Sequence, residues 1–159
     1  MMFIFSCRAL FDEKLTLPRR DYTGNELRTD GYYYYFTKNN TVVYFLYRNG
    51  IILCAHSYST HDLNTVESEM IRLYPEVLKN KAGWGVFVVN GNEIEYDEWN
   101  APTGSSLPII KRKGYIENDT TFRITESYYS DIKKTDYKEF VYRFKQFDNK
   151  PDSTNRYIK

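Results

Sequence analysis

The chain of 159 residues contains few cysteines and no excess of basic residues, and each shortage excludes a class of protein. Two cysteines, Cys7 and Cys54, are too few for a disulfide framework. Lys and Arg number 22 against 21 Asp and Glu, so the net charge of +1 lacks the basic field typical of nucleic-acid binding. Apolar residues never run for the roughly 18 positions that a membrane-spanning helix requires. A chain of this length is expected to form one domain.

The signals of common catalytic sites are also missing. The sequence has no Gly-rich phosphate loop, no nucleophile elbow and no Cys/His pair with a third orienting group. One cysteine, two histidines and an aspartate lie within residues 54–62, but their spacing matches no common zinc pattern. Glu93, Glu95 and Asp97 alternate along one strand, which indicates a solvated face rather than the carboxylate pair of a glycosidase. The sequence therefore predicts a protein that is not an enzyme and holds no metal or cofactor.

Aromatic residues are abundant instead, with 16 Tyr, 10 Phe and 2 Trp against 8 Gly. The stretch from Gly31 to His56 consists of three strand-length aromatic and β-branched runs, separated by Lys38-Asn39-Asn40 and by Asn49-Gly50. Asn-Gly favours the tight turn of a β-hairpin, so the stretch predicts a β-meander. Buried tyrosine hydroxyls need hydrogen-bond partners, which favours a strand-rich core with polar cavities.

Similar patterns continue through the chain. Further strands are predicted at 84–89, 93–99, 109–116 with a break or bend at Gly114, 120–125 and 139–147, with a polar loop at 126–137. Helical spacing predicts one helix over 63–80, capped by Asn64 with Glu67 and kinked at Pro75. We expect the basic run 111–113 to lie on a solvated strand opposite the acidic strand 93–97, because opposite charges pair across strands.

These elements predict an all-β, mainly antiparallel fold. No βαβ rhythm appears, so a parallel sheet is not expected. About eight twisted antiparallel strands close on themselves because free edges favour aggregation, which predicts an up-and-down β-barrel with one helical insertion at about 62–80. An eight-stranded barrel is either filled by side chains or holds one small ligand.

The amino terminus, MMFIFSCRALFDEK, resembles the end of a bacterial lipoprotein signal peptide, in which a short apolar core precedes the lipidated cysteine. The resemblance implies that Cys7 carries a lipid anchor and that the protein is tethered in the bacterial cell envelope, at the outer membrane or in the periplasm. Residues 1–26 would then be signal remnant, leash and linker, and residues 27–159 the barrel domain. The alternatives are that Met1 to Phe5 form a first strand or a frayed end, and that Cys7 bridges to Cys54.

From Leu27 to Phe147 the chain resembles the lipocalin-like (calycin-like) small barrels of bacterial envelope lipoproteins. The likeness lies in the strand ladder, in the strand–Asn-Gly–strand units and in the closing segments NDTTFRIT and EFVYRFKQF. The likeness is one of architecture and not of motif. Lipocalins carry Gly-x-Trp near the start of the first strand, where this chain has Gly31-Tyr32-Tyr33, and its Gly83-Trp84 comes after the predicted helix instead. The resemblance implies that a small hydrophobic ligand binds in the barrel.

We expect non-catalytic binding or sequestration of a small hydrophobic or aromatic molecule. Rings stack on such a ligand and hydroxyls orient it. The residues expected to supply this surface are Tyr32, Tyr34, Tyr44, Trp84, Tyr96, Phe122 and Tyr142. Two alternatives stay open: these rings form a plain core, or a filled barrel serves as a structural or interaction module that docks a protein or glycan partner.

Overall fold

The computed structural model describes residues 12–101 and 106–159. Cys7, the expected lipidation site, lies outside the described residues. In chain order the elements are β1 (Gly31–Phe36), β2 (Thr41–Leu46), β3 (Ile51–Tyr58), α1 (Leu63–Val77), β4 (Trp84–Asn90), β5 (Glu93–Trp99), β6 (Ile109–Asn118), β7 (Thr121–Tyr129), β8 (Lys134–Asp136) and β9 (Phe140–Gln146).

Eight of these strands form a closed antiparallel barrel. Strands β1 to β7 pair in sequence order, and β9 pairs with both β7 and β1 and so closes the ring. The short strand β8 pairs with β7 beside the ring. The predicted all-β barrel with a single helical insertion is confirmed. The architecture is consistent with a lipocalin-like fold.

The apolar core forms two layers, one inside the barrel and one outside its wall. Inward-facing residues from all of the barrel strands form the inner cluster, which includes Tyr33, Tyr44 and Phe122. The outer cluster joins α1 to the wall, because Val66 and Met70 of the helix pack among outward residues of β1 to β4. Both faces of β2 are therefore covered, and all six of its residues are buried.

Helix α1 differs from its prediction at both ends. Asp62, not Asn64, is the N-cap, and its carboxylate accepts a hydrogen bond from the backbone N–H of Thr65. A short acidic side chain at this position satisfies an N–H that has no partner within the helix. The helix ends at Val77 and continues through Pro75. Pro75 lies in the last turn, where it removes the one backbone bond that an N–H at this position would donate to the carbonyl of Ile71.

Residues 12–30 form an arm that lies against the barrel. We call the end of the barrel at the start of β1 the lower end, and the end at the close of β1 the upper end. Tyr22 and Leu27 of the arm join the inner cluster and close the lower end. The backbone N–H of Tyr22 donates to the carbonyl of Arg48 at 2.7 Å, and that of Leu27 donates to the Tyr22 hydroxyl at 2.7 Å. The arm therefore completes the core.

The expected loop at 126–137 is wrong in part. Strand β7 continues to Tyr129, and β8 then pairs back along it. Strands β8 and β9 pair one after the other with the same edge of β7. Ser127 of β7 pairs with Asp136 of β8, and Ile124 of β7 pairs with Phe140 of β9, with a bulge between the two ladders. The alternation of apolar residues stops after Ile124 because this part of the sheet is only partly buried.

Candidate functional site in the barrel interior

A cationic side chain, Arg112, lies inside the barrel. On β6, Lys111 pairs with Asp97 and Lys113 with Glu95 on the outer face, as the sequence predicted. Because side chains alternate along a strand, Arg112 points inward, opposite Tyr96. Its side chain is buried, with only 6% of the residue exposed. The expectation of solvated faces is therefore wrong for Arg112, and it is also wrong for Asp97, which is buried beneath residues 16 and 17.

Three tyrosine hydroxyls surround the Arg112 guanidinium. Its Nη1 lies 2.8 Å from the hydroxyl of Tyr142, 3.1 Å from that of Tyr96 and 3.3 Å from that of Tyr44. The Tyr96 and Tyr142 hydroxyls also share a hydrogen bond of 2.6 Å. Burial by itself lowers the pKa of Arg112, but the neighbouring tyrosines and Glu98 raise it, so the guanidinium stays charged.

Glu98 is the second ionisable group inside the barrel. It follows Ile94 and Tyr96 on the inward face of β5 and is 4% exposed. Its Oε1 accepts a hydrogen bond of 2.9 Å from the Tyr44 hydroxyl. Burial raises the pKa of Glu98 to about 7, although Arg112 and the Tyr44 hydrogen bond act in the opposite direction. Glu98 therefore changes its charge near neutral pH.

Of the six buried side-chain polar atoms without a hydrogen-bond partner in the described residues, three lie inside the barrel near its upper end. They are Nε of Arg112, Oε2 of Glu98 and Oγ of Ser127. Ser127 is the β7 residue that pairs with Arg112, so both side chains face the interior. Buried polar side chains nearly always have a partner, and unpaired ones mark strain, function or an unfilled site. The interior therefore offers donors and an acceptor to a polar group.

A crevice opens between β1 and β9 beside this cluster. The two strands pair only as far as Tyr34 and Arg143, so the last residues of β1 lie beyond the ladder. The crevice has a volume of about 260 Å³, and its lining includes Tyr35 and Phe140. The rings of these two residues lie 4.8 Å apart. The Phe140 ring lies 5.5 Å from the guanidinium carbon of Arg112, so a single ring separates the crevice from the cation.

A larger cavity of about 460 Å³ lies at the lower end. It follows the seam between the arm and the hairpin of β4 and β5, with Pro18, Tyr22 and Val88 among its lining residues. Its walls are mostly polar, whereas the crevice adjoins the interior cluster through Phe140, whose ring lies 5.5 Å from the Arg112 guanidinium carbon. We therefore place the candidate site at the upper end.

The structure divides the seven expected ligand-binding residues between the two core layers. Tyr44, Tyr96, Phe122 and Tyr142 belong to the inner cluster. Tyr32, Tyr34 and Trp84 pack instead in the outer cluster, on the side of the wall that faces α1 and the carboxyl-terminal segment. The expected inward orientation of Tyr32 and Tyr34 is not found, because β1 carries aromatic residues on both faces and its pattern does not fix the side. Ligand contact by any of the seven stays a prediction.

Sequence reasoning missed the charged residues of the interior. Glu98 continues the inward alternation of Ile94 and Tyr96, and that alternation was a usable signal. Arg112 lies between two lysines whose outward partners were predicted, so strand periodicity alone turns it inward. Arg112 was assigned with Lys111 and Lys113 to a solvated strand because opposite charges pair across strands, and Glu98 was given no place.

Comparisons of the chain with protein-family models, with curated proteins and with solved structures found no match. Within residues 12–101 and 106–159, no helix combines the length and apolarity needed to cross a membrane. In the same ranges, no three His, Cys, Asp or Glu side chains lie close enough together to hold a metal ion. Arguments about function therefore start from the geometry of the interior.

Proposed function

We propose that this barrel is a non-catalytic binding protein that holds or sequesters a small apolar or aromatic molecule at its upper end. The observation that supports this most is the set of unpartnered buried atoms on Arg112, Glu98 and Ser127 within an aromatic interior. Ligand sites typically combine apolar walls with a few convergent polar groups. The crevice of about 260 Å³ suits one or two rings rather than a long chain.

The ionisation of the interior groups favours binding over catalysis. Burial raises the pKa of Tyr44 and Tyr142 well above the usual value, so their hydroxyls stay neutral and act as hydrogen-bonding groups. Burial also raises the pKa of the Cys54 thiol to about 12. A neutral thiol is a poor nucleophile. Glu98 titrates near neutrality, and a single carboxyl of this kind is insufficient for the paired acid–base chemistry considered above.

A second candidate function is that of an interaction module with a filled barrel. Stacked rings occupy much of the interior, and the centroids of Phe122 and Tyr142 lie 4.4 Å apart. Two apolar residues beside β8, Ile132 and Tyr137, are exposed at 63% and 72%. Exposed apolar residues near a strand edge are a feature of docking surfaces. Native mass spectrometry of protein from its own host distinguishes the two, since a carrier retains a small molecule.

We also propose that the protein is anchored in the bacterial cell envelope through a lipid on Cys7. The support is the resemblance of residues 1–7 to the end of a lipoprotein signal peptide. Cells expressing the protein are labelled with a palmitate analogue, and the label is expected to disappear in Cys7→Ser and to persist in Cys54→Ser. A protein that takes up no label through Cys7 would contradict the anchor.

Two space-filling variants test the binding site. Val141 lines the crevice, and Val88 lines the larger lower cavity. A panel of naphthalene-based fluorescent probes is titrated against the wild type, Val141→Trp and Val88→Trp, after circular dichroism has confirmed that each is folded. We expect Val141→Trp to weaken binding about ten-fold or more and Val88→Trp to leave it unchanged, because only the first fills the proposed site.

The outcomes separate the alternatives. If no probe binds to the wild type, the carrier function is wrong and the interaction module takes its place. If Val88→Trp abolishes binding and Val141→Trp does not, the site lies at the lower end and the interior cluster is structural.

A further inference from the structure

Arg112 is a buried cation without a buried anion in contact with it. Among the residues that the structure describes, no Asp or Glu carboxylate lies within ion-pair distance of its guanidinium. Removing an ion from water is unfavourable unless an opposite charge or hydrogen bonds compensate it. The hydroxyls of Tyr44, Tyr96 and Tyr142 compensate Nη1, while Nε has no partner.

We propose that the bound molecule is a small organic anion, an aromatic carboxylate, whose carboxylate pairs with Arg112 inside the barrel. This inference rests on the proposed binding function and specifies the class of ligand. A carboxylate accepts charge-assisted hydrogen bonds from a guanidinium in a planar arrangement that matches its own geometry.

The neighbours of Arg112 fit both parts of such a molecule. Its unpartnered Nε and the unpartnered hydroxyl of Ser127 are donors on paired positions of β6 and β7, and a carboxylate has acceptors for both. The aromatic part has rings to contact, since Tyr96 and Phe140 lie 5.9 and 5.5 Å from the guanidinium carbon. An aromatic carboxylate thus satisfies the unpaired donors while its ring extends toward the crevice.

The rim of the crevice has the charge that an anion requires. Lys138 and Arg143 line it, against one acidic residue, Glu139. The Lys138 ammonium lies 5.5 Å from the centroid of the Phe140 ring, at the boundary between the crevice and the interior. A cleft lined with an excess of one charge raises the local concentration of the opposite one. The mouth of the crevice therefore favours anions over neutral analogues.

Glu98 provides an internal test of this assignment, because it brings a competing negative charge into the interior. Its Oε1 is held by Tyr44, which also accepts from Arg112. Replacing Glu98 with Gln keeps the shape and the Tyr44 hydrogen bond but removes the charge that would repel an incoming carboxylate. Glu95 on the same strand faces outward and is only partly buried, so Glu95→Gln makes the same change of net charge outside the site.

The experiment is calorimetric titration of the folded protein with naphthoate and with naphthamide, its neutral analogue of nearly the same shape, at about pH 8, above the pKa of Glu98. We expect the wild type to bind naphthoate about ten-fold more tightly than naphthamide, because only the carboxylate pairs with Arg112. We expect Glu98→Gln to bind naphthoate several-fold more tightly than the wild type, and Glu95→Gln to match the wild type. Arg112→Gln, if it folds, is expected to bind both probes alike.

The results separate the ligand class from the function. Equal binding of the two probes by the wild type, or equal effects of Glu98→Gln and Glu95→Gln on naphthoate, overturns the carboxylate assignment and leaves the binding function standing. Failure of both probes to bind overturns the binding function and the ligand class together. Because Glu98→Gln removes a buried charge and keeps its volume, the test does not depend on whether Arg112→Gln folds.

Discussion

Arg112 and Glu98 share the barrel interior without forming an ion pair, and the hydroxyl of Tyr44 joins them. This hydroxyl donates to Glu98 Oε1 at 2.9 Å and lies 3.3 Å from Arg112 Nη1, from which it accepts. The arrangement leaves one polar atom on each charged side chain without a partner. The stability of the barrel should therefore depend on the charge of Glu98.

The first prediction concerns this carboxyl and pH. Burial raises the pKa of Glu98 from 4.5 to about 7, so the folded state binds the proton more tightly than the unfolded chain does. Its contribution to the free energy of unfolding is therefore fully present below about pH 4.5 and is lost as the pH rises to about 7. Since one pKa unit corresponds to about 1.4 kcal/mol, the loss is at most about 3 kcal/mol. Glu98→Gln should remove this loss, measured as urea unfolding at several pH values.

Glu95→Gln is the control for this prediction. Glu95 lies on the outer face of β5, 3.7 Å from Lys113. A partly exposed pair of this kind contributes within about 1 kcal/mol, so the stability difference from the wild type should change little with pH. A constant difference between Glu98→Gln and the wild type from about pH 5 to 8 would show that Glu98 is not the titrating group.

The second prediction tests the hydroxyls around Arg112. Tyr142→Phe removes the acceptor closest to Nη1, at 2.8 Å, together with the 2.6 Å bond to Tyr96. Losing the shortest hydrogen bond of a buried charged donor, together with the bond to Tyr96, should lower the free energy of unfolding by about 1–3 kcal/mol. Tyr115→Phe, at a residue that is 40% exposed, should change it by less than about 0.5 kcal/mol. Chemical denaturation of both variants checks this, and equal effects would contradict it.

The third prediction concerns the attachment of the arm. The Oδ2 of Asp97, a buried residue on the outer face of β5, accepts hydrogen bonds from the backbone N–H groups of Thr16 and Leu17 and from the Thr16 hydroxyl. Asp97→Ala removes all three, and we expect a loss of about 1–3 kcal/mol and faster tryptic cleavage after Arg19 or Arg20. Asp97→Asn keeps an acceptor oxygen and should leave cleavage close to the wild-type rate. Equal cleavage of the Ala variant and the wild type would contradict this role.

The fourth prediction compares two glycines that each follow an asparagine at a hairpin and adopt a positive φ. Gly50 and Gly91 have φ values of 77° and 62°, so alanine at either position is strained by about 1–2 kcal/mol. A Cβ at Gly50 would also overlap the carbonyl oxygen of Arg20 in the arm, whereas one at Gly91 meets open space. Gly50→Ala should therefore lower stability by at least about 2 kcal/mol more than Gly91→Ala. Thermal unfolding of the two variants measures the difference, and equal melting temperatures would contradict the packing of the arm.

The hairpins were predictable because their turn chemistry is local. Asn49-Gly50 and Asn90-Gly91 mark the connections from β2 to β3 and from β4 to β5, although in each pair only the glycine adopts the positive φ that a type I′ turn requires of both residues. The clean alternation of Ile94 and Tyr96 also gave the correct side for β5. In each case a few neighbouring residues carry the whole signal.

The register of β1 was not predictable from its own residues. After Gly31 its residues are all aromatic, and the structure turns Tyr33 and Tyr35 inward and Tyr32 and Tyr34 outward. A shift of one residue exchanges the two faces, and a strand that is aromatic on both faces carries no periodic signal to choose between them. Pairing with β2 and β9 decides the register, and the contacts with β9 are distant in sequence.

The interior cluster depends on tertiary contacts in the same way. Arg112 is stabilised by hydroxyls of β2, β5 and β9, which no short window of sequence brings together. Charged residue types such as Arg112 and Glu98 are usually exposed to solvent, whereas the alternation along their strands places both side chains in the interior. Here the alternation was the better guide, because the tyrosines supply the partners that burial requires.

Strand β9 joins the two open edges of the sheet, since it pairs with β1 on one side and β7 on the other. During synthesis the first seven strands are therefore made before the residues that connect them into a ring. Until Gln146 leaves the ribosome, the nascent sheet has a free β1 edge made almost entirely of rings, which neighbouring chains can join. Ring closure therefore waits for β9, and the interval before it is when this protein is most open to aggregation.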